Sequence, residues 1–186
     1  MTLDALLRVL AQSLSASGTP YMITGSVAAA YHGAARATMD VDAVIDPAPA
    51  QLTALVQALE HAGLYVSAEA AHEALTNRSM FNVIDPETGW KADLIVRKRR
   101  PFSDEEFARQ LPTELLGQRV AVATIEDVIL SKLEWATMGG SARQLEDVRR
   151  LLAVGGDTVD FAYIARWIEP LGVRSAWRSV CDASGA

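Results

Sequence analysis

The chain has 186 residues, of which 50% are hydrophobic and 22% are charged, so it can bury a core in one domain and is not disordered by composition. Its formal net charge of −6 argues against a protein that binds duplex nucleic acid over its whole surface. Its single cysteine, Cys181, excludes internal disulfides and cysteine-based zinc fingers. No apolar stretch approaches the roughly 18 residues of a membrane span, and the first residues lack the pattern of a signal peptide. We therefore expect no membrane insertion and a cytoplasmic location.

Hydrophobic periodicity divides the chain into an α/β part and a helical part. Short apolar runs indicate strands, whereas apolar residues at intervals of three and four indicate amphipathic helices. The elements predicted in the α/β part are a helix at 3–15, a strand at 21–24, a helix at 27–31, strands at 38–45 and 64–66 separated by a helix at 50–62, a short helix or irregular cover at 68–76, a hairpin at 81–84 and 92–96, a helix at 103–110 and a small hairpin at 115–122. Helices are predicted at 124–138, 141–153, 159–169 and 173–182 in the remainder.

This order predicts an α/β fold, in which helices flank a small mixed sheet. We expect residues 1–123 to form the α/β core and residues 124–186 to form a C-terminal helical segment that packs directly on it. Ser103, with Glu106 three positions later, matches a capping box and predicts a helix that begins there.

Two carboxylates share one face of the second predicted strand. Side chains alternate along a strand, so Asp40 and Asp42 lie on one face, about 7 Å apart, with Val41 and Ala43 on the other. Hard oxygen ligands in this arrangement suit Mg²⁺ or Mn²⁺. Asp93, inside the second strand of the predicted hairpin, adds a third carboxylate if its strand neighbours the first. The alternative is a solvated sheet face that binds no metal.

Gly25 and Ser26 form a second notable feature, directly after the first predicted strand. Glycine lets the backbone approach a ligand closely, and the helix that follows would present free N–H groups to a phosphate. A phosphate cradle beside a carboxylate cluster is typical of a site where metal ions bridge the two.

Several charged residues are candidates for phosphate contacts. On the first C-terminal helix Lys132 falls within the apolar arc, so its ammonium either reaches a polar cleft or extends past the edge of the core. Arg36 and Thr38 precede the acid pair and either contact a phosphate or brace the loop. The run Arg97–Arg100 is either a local patch for a polyanion or a solvated loop. Asp147 lies off the apolar stripe of its helix and either braces the helical segment or is exposed.

The spacing of these residues resembles a known family. Gly25-Ser26, followed after thirteen residues by Asp40-Val41-Asp42 and later by Asp93, resembles the pattern of the DNA polymerase β nucleotidyltransferase superfamily, although Ser26 stands where glycine is commoner. The segment GSVAAAYHGAARATMDVD resembles the AbiEii-like nucleotidyltransferase group, in which Arg-x-Thr or Arg-x-Ser precedes the acid pair. The later segment TIEDVILSKLEWATMGGSARQLEDVRRLL resembles the helices that follow in that group. Together the matches touch about residues 20–155.

The resemblance implies a nucleotidyltransferase fold and a metal-dependent transfer reaction. A nucleoside monophosphate would move from a nucleoside triphosphate to a hydroxyl, with release of pyrophosphate. Asp40 and Asp42 would bind two Mg²⁺ or Mn²⁺ ions, and Asp93 would ligate the ion that activates the acceptor hydroxyl. Gly25 and Ser26 would hold the outgoing phosphates.

The resemblance also implies an acceptor and a partner. The AbiEii-like group suggests a hydroxyl of RNA or protein as acceptor, a toxin-like or regulatory role and an antitoxin protein as partner. Two alternatives remain open. One is a small-molecule enzyme similar to those that inactivate aminoglycoside or lincosamide antibiotics, and the other is a nucleotide-binding module without turnover.

Overall fold

The computed structural model of the chain describes residues 1–184. Its strands are β1 (Tyr21–Thr24), β2 (Asp40–Ile45), β3 (Tyr65–Val66), β4 (Met80–Ile84), β5 (Lys91–Val96), β6 (Leu111–Leu115) and β7 (Gln118–Val122). Its helices are α1 (Leu3–Ala16), α2 (Gly25–Tyr31), α3 (Pro49–His61), α4 (Ala68–Asn77), α5 (Pro101–Ala108), α6 (Ile125–Gly139), α7 (Ala142–Gly155), α8 (Phe161–Ile168) and α9 (Arg174–Ser184), with one 3-10 turn at Gly156–Thr158. The expected mixed α/β architecture is confirmed.

The seven strands form one mixed sheet with the order β3-β4-β5-β2-β1-β7-β6. β2 pairs in parallel with β5 and antiparallel with β1, and β1 pairs in parallel with β7. Parallel neighbours need a long crossover, and the chain between β2 and β5 contains α3 and α4. This topology places β2 near the middle of the sheet and puts β5, with Asp93, directly beside it.

The hydrophobic core continues from the sheet into the C-terminal helices. α1 presents a stripe of leucines at helical spacing, and four of them, Leu6, Leu7, Leu10 and Leu14, have no exposed surface. Apolar residues of α6, including Val128 and Ile129, are equally buried in the same core. Residues of the C-terminal helices therefore belong to the same hydrophobic core as residues of the sheet. Within residues 1–184, no helix is long and apolar enough to cross a membrane.

Several element boundaries differ from the sequence predictions, and three of them involve a proline or a glycine. α5 begins at Pro101 instead of Ser103, because proline is preorganised for the first helical position. Ser103 therefore does not cap the helix, and its hydroxyl accepts a hydrogen bond from Arg100 Nε at 3.0 Å. α2 begins at Gly25 itself. β6 begins earlier than predicted and includes Pro112, which an edge strand tolerates.

Candidate active site

A cleft of about 550 Å³ lies between the sheet and α6. Side chains of β2 and β5 line one side of it, and side chains of α6 line the other. It brings together residues that the sequence analysis singled out for chemistry, namely Gly25, Ser26, Arg36, Asp40, Asp42, Asp93 and Lys132. Thr38 lies beside the cleft, where its hydroxyl donates a hydrogen bond to Asp40.

Strand register places three carboxylates on one face of the sheet. Asp42 on β2 lies opposite Asp93 on β5, and Asp40 lies opposite Lys91. Paired residues of neighbouring strands project to the same side, so Asp93 shares the face of the acid pair. Burial, followed by the negative charges of Asp40 and Asp93, raises the pKa of Asp42 to about 6, against the opposing effects of the Ser26 N–H and the Lys132 ammonium.

The turn between β1 and α2 packs against Asp42 because residue 25 is glycine. Gly25 has a φ of +61°, and a Cβ at this position would lie 1.8 Å from Asp42 Oδ2. The next residue, Ser26, donates its backbone N–H to Asp42. The carboxylate therefore occupies the Ser26 N–H, which lies at the start of the helix that is expected to present free N–H groups to a phosphate.

We expect Gly25→Ala to lower the free energy of unfolding by more than about 2 kcal/mol. Left-handed strain accounts for about 1–2 kcal/mol of this loss, and the new methyl group must also displace the Asp42 carboxylate. Urea denaturation at neutral pH measures the change. Gly63→Ala is the matched control, since Gly63 has a φ of +81° and nothing within 4 Å of its added Cβ. Equal losses in the two variants would mean that Asp42 does not require glycine at position 25.

Asp93 is held by two donors on neighbouring positions of the sheet. Lys91 Nζ lies 2.9 Å from Oδ2 and 3.1 Å from Oδ1, and Asn82 Nδ2 donates to Oδ1 at 2.6 Å. Partial burial disfavours the Lys91 ammonium, but the hydrogen bond to Asp93 and the charges of the three acids raise the pKa of Lys91 above its ordinary value. Lys91 lies two residues before Asp93 on the same strand face, and the sequence analysis did not consider it.

Each of the three carboxylates accepts a hydrogen bond from a protein donor. Within residues 1–184, no group of three or more His, Cys, Asp or Glu side chains is arranged as a ready metal site. The donor set nevertheless fits a hard divalent cation, because it consists of carboxylate oxygens. A cation would also relieve the repulsion that Asp40 and Asp93 exert on Asp42.

A buried carboxylate of α7 joins the helical segment to the Gly25-Ser26 turn. Asp147 is 4% exposed, and its Oδ2 lies 2.8 Å from Lys132 Nζ and 3.0 Å from Arg36 Nε. Arg36 also donates to the Ser26 hydroxyl, and Lys132 donates to Gln144 at 3.2 Å. Burial alone would raise the pKa of Asp147, but the hydrogen bonds and charges of Lys132 and Arg36 hold it below its ordinary value. Of the two interpretations of Asp147, bracing is correct and exposure is wrong.

Comparison with solved structures adds independent information on the fold. The solution structure of the antibiotic-resistance factor ANT(2″)-Ia is 15% identical and aligns over 98% of this chain and 94% of that chain, with a TM-score of 0.59. The crystal structure of ANT(2″)-Ia with adenylyl-2″-tobramycin is 18% identical and aligns over 96% and 98%, with a TM-score of 0.58. An antigenic nucleotidyltransferase-like protein from Paracoccidioides brasiliensis is 19% identical and aligns over 97% and 92%, with a TM-score of 0.56.

The chain has the nucleotidyltransferase fold. No protein-family model matches the sequence, and no curated protein is significantly similar to it. At these identities the likeness concerns the fold, so membership of the AbiEii-like group stays a prediction.

In this nucleotidyltransferase fold two of the four cations in the basic run after β5 form ion pairs with acids. Arg97 pairs with Asp46 at 2.7 Å, and Arg100 makes a bidentate pair with Glu134 at 2.6 Å. Lys98 lines the same cleft and has no ion pair with any residue in the described part of the chain. The run is therefore neither a free polyanion patch nor a wholly solvated loop.

A buried acid that sequence reasoning assigned to a cap lies in the wall of the cleft. Glu106 on α5 is 6% exposed and lines the cleft. Burial, with a smaller contribution from the charge of Asp127, raises the pKa of Glu106 to about 8. Its carboxyl is therefore mostly protonated at neutral pH. No signal in the sequence separates such a buried glutamate from an ordinary one in the first turns of a helix.

Glu106→Gln is expected to remove a pH-dependent cost to stability. Because the folded-state pKa of about 8 lies above the ordinary 4.5, the wild type binds the extra proton only when folded, and its stability falls as pH rises between these values. The variant should therefore become more stable than the wild type by about 1.4 kcal/mol for each pH unit in this interval. Urea denaturation from pH 5 to pH 8 measures the difference. Glu114→Gln, at an exposed position, is the control, and an equal pH dependence in both variants would contradict the assignment.

Proposed function

We propose that the chain is a metal-dependent nucleotidyltransferase that moves a nucleoside monophosphate from a nucleoside triphosphate to a hydroxyl. The observation that carries this proposal is the placement of Asp40, Asp42 and Asp93 on one cleft face beside the Gly25-Ser26 turn. A fold alone does not define a function. The nucleotidyltransferase fold supports the proposal because, in this chain, it carries the three acids in a cleft.

The three acids are the proposed ligands of Mg²⁺ or Mn²⁺. When bound, such an ion lowers the pKa of an attacking hydroxyl and stabilises the charge that develops at the α-phosphate. Thr38 orients Asp40 through its hydroxyl hydrogen bond, and the Ser26 N–H orients Asp42. Their effect is to keep two carboxylates facing the cleft.

The proposed phosphate subsite lies beside the acids, where the Gly25-Ser26 turn contacts Asp42. Arg36 and Lys132 supply two positive charges there, and Asp147 neutralises one of them. The net charge of +1 remains available to the outgoing β- and γ-phosphates, together with the Ser26 hydroxyl. Gly25 keeps the backbone close enough for these groups to lie beside the acids.

Two acceptor classes follow from different observations. A hydroxyl of RNA or protein, with a toxin-like role and an antitoxin partner, is supported by the AbiEii-like resemblance and by Lys98, which lines the cleft and has no ion pair within residues 1–184. A small-molecule acceptor is supported by the mutual coverage of 96% and 98% with ANT(2″)-Ia, whose crystal structure contains adenylyl-2″-tobramycin.

Transfer of label tests the proposal and separates the acceptors. Purified chain is incubated with each α-labelled nucleoside triphosphate and Mg²⁺ or Mn²⁺, together with tRNA, total protein or aminoglycosides in separate reactions. We expect label in one acceptor class, and none with Asp42→Asn. Tight triphosphate binding without transfer or pyrophosphate release in any reaction would replace the enzyme by a nucleotide-binding module.

A further inference from the structure

The acid cluster already contains a cation supplied by the chain. Lys91 Nζ contacts both oxygens of Asp93, at 2.9 Å and 3.1 Å. Lys91 also lies opposite Asp40 in the parallel pairing of β2 and β5, while Asp93 lies opposite Asp42. One ammonium and three carboxylates therefore occupy four adjoining positions on one face of the sheet.

The Lys91 ammonium and a metal ion would compete for the same carboxylate. A carboxylate oxygen accepts more than one hydrogen bond. The neutral Asn82 amide can therefore keep its hydrogen bond to Asp93 while Asp93 ligates a metal ion. The ammonium differs, because it spans both oxygens and its positive charge repels a second cation. The Lys91 side chain is 41% exposed, so it can swing into solvent without disturbing the core.

We propose that Lys91 is the resident counter-ion of the acid cluster, and that a divalent cation binds by displacing its ammonium from Asp93. Lys91 thereby sets the metal affinity of the site and keeps Asp93 paired when metal is absent. This inference rests on the proposed function insofar as the acids are taken to bind a divalent cation.

Mn²⁺ binding to the nucleotide-free chain tests the exchange. Free Mn²⁺ is followed by its electron paramagnetic resonance signal for the wild type, Lys91→Met and Lys91→Gln. We expect both variants to bind Mn²⁺ about five- to tenfold more tightly, a modest factor because the lysine is partly screened by solvent. Lys91→Arg keeps the charge and should bind Mn²⁺ much as the wild type does.

Lys98→Met is the matched control. It removes one positive charge from the same cleft, but Lys98 has no carboxylate partner in residues 1–184. We expect its Mn²⁺ affinity to change less than twofold. Circular dichroism melting provides a second readout: without metal, Lys91→Met should melt below the wild type because Asp93 has lost its cation, and Mn²⁺ should raise its melting temperature more than that of the wild type.

The outcomes separate this inference from the proposed function. If Lys91→Met, Lys91→Gln and Lys98→Met bind Mn²⁺ equally well, or the Lys91 variants bind it more weakly than the wild type, displacement is wrong while a metal site remains. If neither the wild type nor any of the variants binds Mn²⁺, both proposals are wrong. If the Lys91 variants bind more tightly yet no acceptor is labelled in the transfer assay, only the transfer reaction is overturned.

Discussion

Asp42→Asn is expected to lower nucleotidyl transfer by about 10³-fold or more while making the metal-free protein more stable. Asparagine keeps the shape of the side chain but is a poor ligand for Mg²⁺, and metal catalysis of this kind contributes several kcal/mol to the transition state. Each 1.4 kcal/mol or so corresponds to a factor of ten in rate. Single-turnover transfer of labelled nucleotide measures the loss.

The gain in stability comes from the raised pKa of Asp42. The folded-state pKa of about 6 lies above the ordinary value of 3.8, so the ionised carboxyl costs stability. That cost grows as pH rises between these values and is constant above them. In metal-free buffer we expect the free energy of unfolding of Asp42→Asn to exceed that of the wild type by about 3 kcal/mol at pH 7 and to match it near pH 4.

Asp157→Asn serves as the control for both measurements, because Asp157 is exposed on the 3-10 turn. It should leave transfer and stability unchanged. Retention of transfer by Asp42→Asn would remove Asp42 from the proposed metal ligands. Loss of stability at pH 7 would contradict the repulsion that the acid cluster is inferred to contain.

Asp147→Ala is expected to lower the free energy of unfolding by about 3 kcal/mol. Removing one partner of a buried ion pair leaves an uncompensated charge, and here Lys132 and Arg36 both lose their carboxylate. The neighbouring substitution Glu146→Ala is the control. Among the described residues Glu146 pairs only with Arg149 and Arg150 at the surface, and such pairs contribute about 0–1 kcal/mol. Urea denaturation of both variants, without nucleotide, gives the comparison.

The same variant reports on the phosphate subsite. If Lys132 and Arg36 bind phosphates, a non-hydrolysable triphosphate replaces the missing negative charge and raises the melting temperature of Asp147→Ala more than that of the wild type. An equal shift in the two proteins would mean that these cations brace the helices without contacting the triphosphate.

Local patterns were enough to predict the main elements of the site. Strand alternation predicted that Asp40 and Asp42 share a face, and the helical period of α6 put Lys132 within the apolar arc, where its ammonium either reaches a polar cleft or extends past the edge of the core. Both predictions depend only on backbone geometry within one element. That Asp93 lies on the same face required the parallel pairing of β2 with β5, which no local pattern specifies.

The partners of these residues were harder to predict. Asp147 reaches Lys132 only because α7 packs against α6. Arg97 and Arg100, two of the cations after β5, pair with Asp46 and Glu134, which are distant from them in sequence. Burial of Glu106 likewise depends on how α5 packs. Lys91 is the exception, because its position two residues before Asp93 on a strand already predicts a shared face.

A crystal structure with Mn²⁺ and a non-hydrolysable nucleoside triphosphate tests the proposed function most directly. We predict an anomalous manganese peak in contact with the carboxylates of Asp40 and Asp42, with the triphosphate in the cleft and its outer phosphates next to Ser26 and Arg36. A triphosphate bound elsewhere, or one bound in the cleft with no manganese at either carboxylate, would contradict the proposal.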